Sequence, residues 1–132
     1  DLDVKIDINL DDVRLDTNGL SRSHFRLARI HYPAESAVGK AEIGYLLYMK
    51  LSLTGNEGEF IRRYRSDEPV FPHHSTADQF FTEPQFEAYR SLGEHVGDKL
   101  FLRTLVGQMG SSSNVTVEEW FSALGQKLLE PL

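Results

Sequence analysis

The sequence predicts an α+β domain: an antiparallel sheet of about three strands in the N-terminal half, followed by three to five helices packed on it. Three observations carry that expectation. Apolar and polar residues alternate over residues 2–10 and again over 41–53, the period of a strand. Beyond Asn56 the spacing of apolar residues becomes helical. Helix-start signals then recur at Thr82 and at Thr116 with Glu119.

In chain order, Leu2, Val4, Ile6, Ile8 and Leu10 share one side of the first strand, with Asp3, Lys5, Asp7 and Asn9 on the other. That pattern fits a half-buried strand with one wet face. Asp16, Asn18 and Gly19 mark a tight turn within 11–21. Ser23–Tyr32 is a second strand whose alternation slips, Phe25 and Leu27 in one phase and Ala28, Ile30 and Tyr32 in the other, so a bulge is expected near Leu27. Pro33 to Lys40 reads as a connection. Ala41–Leu53 is apolar at every odd position and also carries Leu46 and Tyr48 on its even face, which predicts a central strand.

The helical half opens with a short helix over Glu57–Arg65, capped by Thr54 or Asn56 and stopped by Pro69 and Pro72. A single turn from Ser75 or Thr76 runs to Phe80. Thr82 is the N-cap of the next helix, with Glu83 and Pro84 in its first turn and Phe86, Tyr89, Leu92 and Val96 on its apolar side. Gly97 either breaks it or separates it from a second helix over Asp98–Val106. Gly107–Asn114 is a loop, and a last helix presents Trp120, Leu124 and Leu128, with Phe121 and Leu129 beside them.

With 132 residues the chain fits one domain, 1–132, with no internal repeat or composition break. A domain of that size buries roughly two-thirds of its unfolded surface, enough to fold without staples. Cysteine is absent, which excludes disulfides and thiolate metal sites. A net charge of −6 argues against nucleic-acid binding and against docking on an anionic membrane by charge alone. No apolar run approaches the ~20 residues of a membrane span.

No complete catalytic constellation is apparent. Gly110-Ser111-Ser112-Ser113-Asn114 approaches the G-x-S-x-G turn of serine hydrolases, but Asn114 replaces its second glycine and the preceding segment looks helical. A flexible loop is the better reading. His73, His74 and Asp78 could contribute metal ligands, yet Pro72 precedes the pair and no third ligand has clear spacing, so structural hydrogen bonds are favoured. His24, His31 and His95 are too scattered to place. Phe80, Phe81, Phe86 and Tyr89 read as core, and Arg62, Arg63 and Arg65 as a solvated helix face rather than a phosphate site. Lys50 and Thr54 stand at a strand end without a glycine-rich phosphate loop after them. Glu118–Glu119 and Asp11–Asp12 lack an apolar setting that would raise a carboxyl pKa. No catalytic, cofactor or metal residue is assigned.

One stretch is more specific. Leu46–Phe60 and Arg62–Val96 carry Lys50, Leu53-Thr54-Gly55, Phe71-Pro72-His73, Ser75–Phe81, Gln85-Phe86-Glu87, Tyr89-Arg90 and Leu92-Gly93. In that combination the chain, from about Phe25 to Val96, resembles the C-terminal region of large bacterial patatin-like phospholipase proteins. The resemblance implies a parent that is an α/β lipid acyl hydrolase using a Ser-Asp dyad, with serine in G-x-S-x-G and aspartate in D-G-G or D-G-A. Neither motif occurs here, and no Asp is followed by Gly, so no catalytic residue is carried over. The expectation is a non-catalytic C-terminal portion with its dyad upstream and its start at Asp1 a cut or trimmed end. Its partners would be the upstream part of the same protein, or a second copy through a sheet edge, with lipid or membrane-surface contact through the parent. The parent would be cytoplasmic or peripheral to a membrane. The alternative is a self-contained α+β interaction module without enzymatic activity, binding through the surface around Arg62–Phe81.

Overall fold

The computed structural model describes residues 3–33, 42–105 and 116–128. Within them the chain is α+β: a three-stranded antiparallel sheet in the N-terminal half is followed by three helices. The strands are β1 (Lys5–Asp7), β2 (Phe25–Tyr32) and β3 (Glu42–Met49); the helices are α1 (Glu59–Asp67), α2 (Glu83–Leu105) and α3 (Val117–Leu128). A 3-10 turn at Asp11–Val13 follows β1.

The sheet runs β1-β2-β3, so β2 is central and β3 is an edge. This corrects the expectation that 41–53 would be central. Apolar content reports how much of a strand wants cover, whereas pairing decides its place, and among the described residues only β2 has a neighbour on both sides. The expected bulge is absent as well: β2 pairs one-to-one with β3 from Phe25↔Met49 to Tyr32↔Glu42. The slipped alternation instead records burial on both faces of β2, with Phe25 and Leu27 buried on one and Ala28 on the other. The first strand shrinks to three residues, all exposed, rather than a half-buried strand over 2–10. Between β1 and β2, the Asp16 carboxylate accepts the amides of Asn18 and Leu20, which closes a turn with Gly19 at φ 74°. That turn delivers Leu20 to an isolated parallel bridge with Leu53, held by the Ser21 amide on the Leu53 carbonyl at 2.8 Å.

Residues directly opposite in the ladder share a face. On one face Phe25, Leu27 and Leu47 pack with Leu100 of α2 and Leu124, Trp120 and Phe121 of α3. The other face carries Ile6, Ala28, Ile30, Tyr32, Leu46 and Tyr48, and of these Ile6, Tyr32, Leu46 and Tyr48 stay exposed. The Tyr32 ring lies over Gly44, so close that a Cβ there would meet it at 2.9 Å.

The second core lies under the helices. Leu53, Ile61, Phe71, Ala88, Leu92 and Val96 are buried together, with Leu20, Tyr64 and Tyr89 against them. Phe71 is fully enclosed between the rings of Tyr64 and Tyr89, each met edge-on at about 5 Å. Arg65 donates to the carbonyls of Pro69 and Phe71 and so fixes the descent from α1.

α2 begins where Thr82 predicts: the Gln85 amide reaches the Thr82 hydroxyl and the Phe86 amide its carbonyl. It then runs through Gly97 without a break to Leu105. Glycine in a helix costs about 0.5–1 kcal/mol, less than one well-buried leucine contributes at about 1.5–3 kcal/mol, and Ala88, Leu92, Val96 and Leu100 bury one continuous row at four-residue spacing. Phe86 lies off that row and is exposed; Gln85 takes the buried position. α3 carries the expected capping box, Thr116 amide to Glu119 Oε2 at 2.8 Å and Glu119 amide to Thr116 Oγ1 at 3.2 Å. No helix among the described residues is long and apolar enough to cross a membrane.

Because nothing lies within 4 Å of a Cβ placed on Gly97, Gly97→Ala should raise unfolding free energy by about 0.5–1 kcal/mol. Leu92→Ala should lower it by about 2–5 kcal/mol. Urea titration of both variants checks this; a destabilising Gly97→Ala would mean that the helix needs its glycine.

Candidate functional site

The chemically dense point of the molecule is the junction of the β2 entrance, the turn after Leu53 and the middle of α2. Gly55 adopts φ 88°, a left-handed conformation that suits glycine, and turns the chain towards α1. The turn closes on Glu57. Its carboxylate accepts the Thr54 amide at 2.6 Å and the Gly55 amide at 2.9 Å, and lies 3.2 Å from the Thr54 hydroxyl. The Thr54 hydroxyl also lies 2.9 Å from Asn56 Oδ1 and 3.3 Å from His24 Nε2. Having one hydrogen, it donates to Asn56 or Glu57, not both. His24 precedes β2 and is 4% exposed, with Nε2 3.9 Å from Glu57 Oε1. His95 comes from α2; its Nε2 is 3.0 Å from Asn56 Oδ1, and its ring meets that of His24 edge-on with centroids 5.6 Å apart.

Burial disfavours the charged form of both His24 and Glu57, but their balances differ. For His24, burial dominates and pushes the pKa down, helped by His95 and Lys99 and opposed by Glu57 and the Ser52 backbone. For Glu57, burial pushes up, yet the backbone amides of Thr54, Glu57 and Gly55 and the Thr54 hydroxyl together hold the carboxyl below its usual range. The junction therefore contains a buried carboxylate and a neutral buried imidazole. His24 Nδ1 is buried with no partner in hydrogen-bond geometry among the described residues.

This arrangement is not a nucleophilic relay. Thr54 Oγ1 and the acid Glu57 both lie on the Nε2 side of His24, whereas a base needs its orienting acid on the opposite nitrogen. It does form a ligand set: His24, Glu57 and His95 each offer one donor atom, all within 4.8 Å of one another.

A second feature lies along the start of α2. Pro72, His74, Ser75, Phe81, Phe86 and Tyr89 line an open groove of about 380 Å³. His74 Nδ1 is 2.9 Å from the Tyr89 hydroxyl, which also accepts the His74 amide at 3.3 Å. Phe80 and Phe86 are 92% and 62% exposed and Phe81 is exposed too, which corrects their assignment to the core; Tyr89 alone of the four packs against it. The groove has an apolar wall, but no charged group anchored in it.

The other residues singled out from sequence take structural places. His73 is exposed; burial, then Lys50 and Arg65, lower its pKa. His74 is engaged by Tyr89, and the Asp78 carboxylate accepts the Phe80 amide, so His73, His74 and Asp78 form no shared site. Arg62 and Arg63 lie exposed on α1. Lys50 donates to the Val13 carbonyl at 3.1 Å. Asp12 pairs with Arg22 and Arg26, Asp11 with Arg14, and Asp7 with Lys5 and His31. Gly110–Asn114 lies outside the described residues. Sequence reasoning missed the convergence of His24, Glu57 and His95. Its only local trace is a glutamate three residues after Thr54 in a turn with glycine; the histidines come from positions 33 residues before and 38 after Glu57.

No family model, curated protein or solved structure matches the chain.

The depressed His24 pKa fixes the sign of a pH effect. Below the ordinary value of 6.5 the unfolded chain takes a proton at His24 that the folded chain does not, so stability present at neutral pH is lost as pH falls through and below 6.5. Glu57 adds a second loss below its ordinary 4.5. Thermal unfolding of chelator-treated protein across pH 5–7 should slope downward towards acid, and His24→Asn should flatten that slope relative to wild type. An unchanged slope in His24→Asn would remove the buried neutral imidazole from the account.

Proposed function

We propose that this chain is the non-catalytic C-terminal portion of a patatin-like lipid acyl hydrolase whose Ser-Asp dyad lies upstream, and that it serves by folding against the rest of that protein. The sequence resemblance motivates the family. The observation that supports the docking role is the sheet face bearing Ile6, Tyr32, Leu46 and Tyr48, which no described residue covers and which adjoins the edge of β3 that no described strand pairs, where Ile43, Tyr45 and Met49 are exposed too. An apolar face next to an unpaired edge is a surface that gains free energy when another element covers it. Acyl-ester hydrolysis then belongs to the parent, with a serine nucleophile and an oxyanion hole of backbone amides. The described residues supply the scaffold, and their one clustered polar site lacks the geometry of a nucleophile–base pair.

The second reading, a self-contained interaction module, draws on the aromatic groove at the start of α2, where Phe81 and Phe86 present exposed rings to a partner.

Two measurements test the first reading. The coding sequence preceding Asp1 should continue in frame and supply G-x-S-x-G and D-G-G or D-G-A; a start codon immediately before Asp1 would sink it. Hydrolysis of p-nitrophenyl esters should be found in the parent and absent from the 132-residue chain. Turnover by this chain alone, lost in Ser112→Ala, would make it an enzyme in its own right. The exposed sheet face makes a further prediction by light scattering: the isolated chain self-associates, and Leu46→Lys shifts it towards monomer without lowering its Tm.

A further inference from the structure

We infer that His24, Glu57 and His95 form a binding site for a divalent transition-metal ion of the zinc type, which clips the β2 entrance, the turn before α1 and the middle of α2 together. The donors suit such an ion. Two imidazoles and one carboxylate make a three-ligand set that zinc uses with water or another oxygen in the fourth position. Hard ions such as calcium and magnesium prefer six or more oxygens, or several retained waters, and two imidazoles match them poorly.

The geometry needs little change. Bonds of ~2.0–2.2 Å place tetrahedral donors roughly 3.3–3.6 Å apart. The three donor atoms already lie within 4.8 Å of each other, and His24 Nε2 is 3.9 Å from Glu57 Oε1. His95, half-buried on α2, is the least enclosed of the three. Asn56 Oδ1, 3.0 Å from His95 Nε2, is placed to be the fourth oxygen or to hold a bound water.

The surroundings are those of a prepared site. Metal-bound carboxylates are held by hydrogen bonds from behind. Glu57 is held by two backbone amides of its own turn, so its position does not depend on the ion. Glu57 and His24 have side chains 1% and 4% exposed, which excludes the competing water that weakens surface sites. Without an ion, two buried polar side chains stand almost 4 Å apart, too far for a hydrogen bond. The Thr54 hydroxyl lies against both atoms, at 3.3 Å from His24 Nε2 and 3.2 Å from Glu57 Oε1, and an ion between them would bond each directly.

The inference does not depend on the hydrolase reading, and its test does not involve activity. Chelator-treated chain is titrated with ZnSO4 by calorimetry, and with CoCl2 while visible absorption is recorded. The expected result is one ion per chain, the intense ligand-field bands of four-coordinate Co²⁺, and a rise in Tm with Zn²⁺. His95→Ala removes a half-buried ligand that belongs to neither apolar core cluster, so the variant keeps the fold. It should weaken Zn²⁺ by more than the ~10–100-fold typical of losing a merely supporting neighbour, and abolish the Co²⁺ bands. Glu57→Gln should do the same, and circular dichroism shows whether it folds. His73→Ala and His74→Ala should leave binding unchanged. Three results would each overturn the proposal: no saturable binding, binding unaffected by His95→Ala, or the weak absorption of six-coordinate Co²⁺.

Discussion

The rest of the molecule is arranged around one buried carboxylate. A charge removed from water must find compensation or the fold does not form. Glu57 finds it in the amides of Thr54 and Gly55, and it stands four residues beyond Leu53 and four before Ile61, both of which enter the same core. The carboxylate thus sets the angle at which the chain leaves the sheet and enters α1. The same turn meets His24 from the start of β2 and, through Asn56, His95 from α2. Beside it, the hydroxyls of Ser21 and Ser52 share a buried hydrogen bond of 2.6 Å under the Leu20–Leu53 bridge. Polar groups therefore fix the register at the point where sheet and helices join, and apolar packing on either side supplies most of the stability.

α2 makes those two sides one structure. Ala88, Leu92 and Val96 belong to the core beneath α1, while Leu100 belongs to the core between β2 and α3. A break at Gly97 would separate the two; an uninterrupted helix transmits alignment from one to the other. On its exposed side Arg90 bridges Glu87 and Glu94, pairs that water screens and that add little to stability. The apolar row holds this helix in place.

Much of the architecture was legible from local pattern. Alternation located β2 and β3, and Thr82 and the Thr116–Glu119 box located two helix starts, because strand period and capping are short-range effects. What failed was long-range. No local rule says that β3, with the richest apolar pattern, would be left at the edge, or that Ile6 and its neighbours would gain no cover from the described residues. The extra phase in β2 looked like a bulge because a strand shielded on both faces has the same signature. Gly97 looked like a break because its cost is local and the compensating row of Ala88, Leu92 and Val96 acts through tertiary contact. The His24–Glu57–His95 junction was invisible for a related reason. Its members lie more than 30 residues apart, and only the closure of the fold brings them together.

The single tryptophan has a spectroscopic consequence. Trp120 lies on α3, stacked on Phe101 at 5.7 Å between centroids and edge-on to Phe121. Indole emission from this protein is therefore a local reporter of how α3 seats against α2 and the sheet. The aromatic cluster around Phe71 contains Tyr64 and Tyr89 and no indole. Indole emission therefore follows the α3 end of α2 apart from the Phe71 end, and a folding or docking experiment can watch that seating without a label.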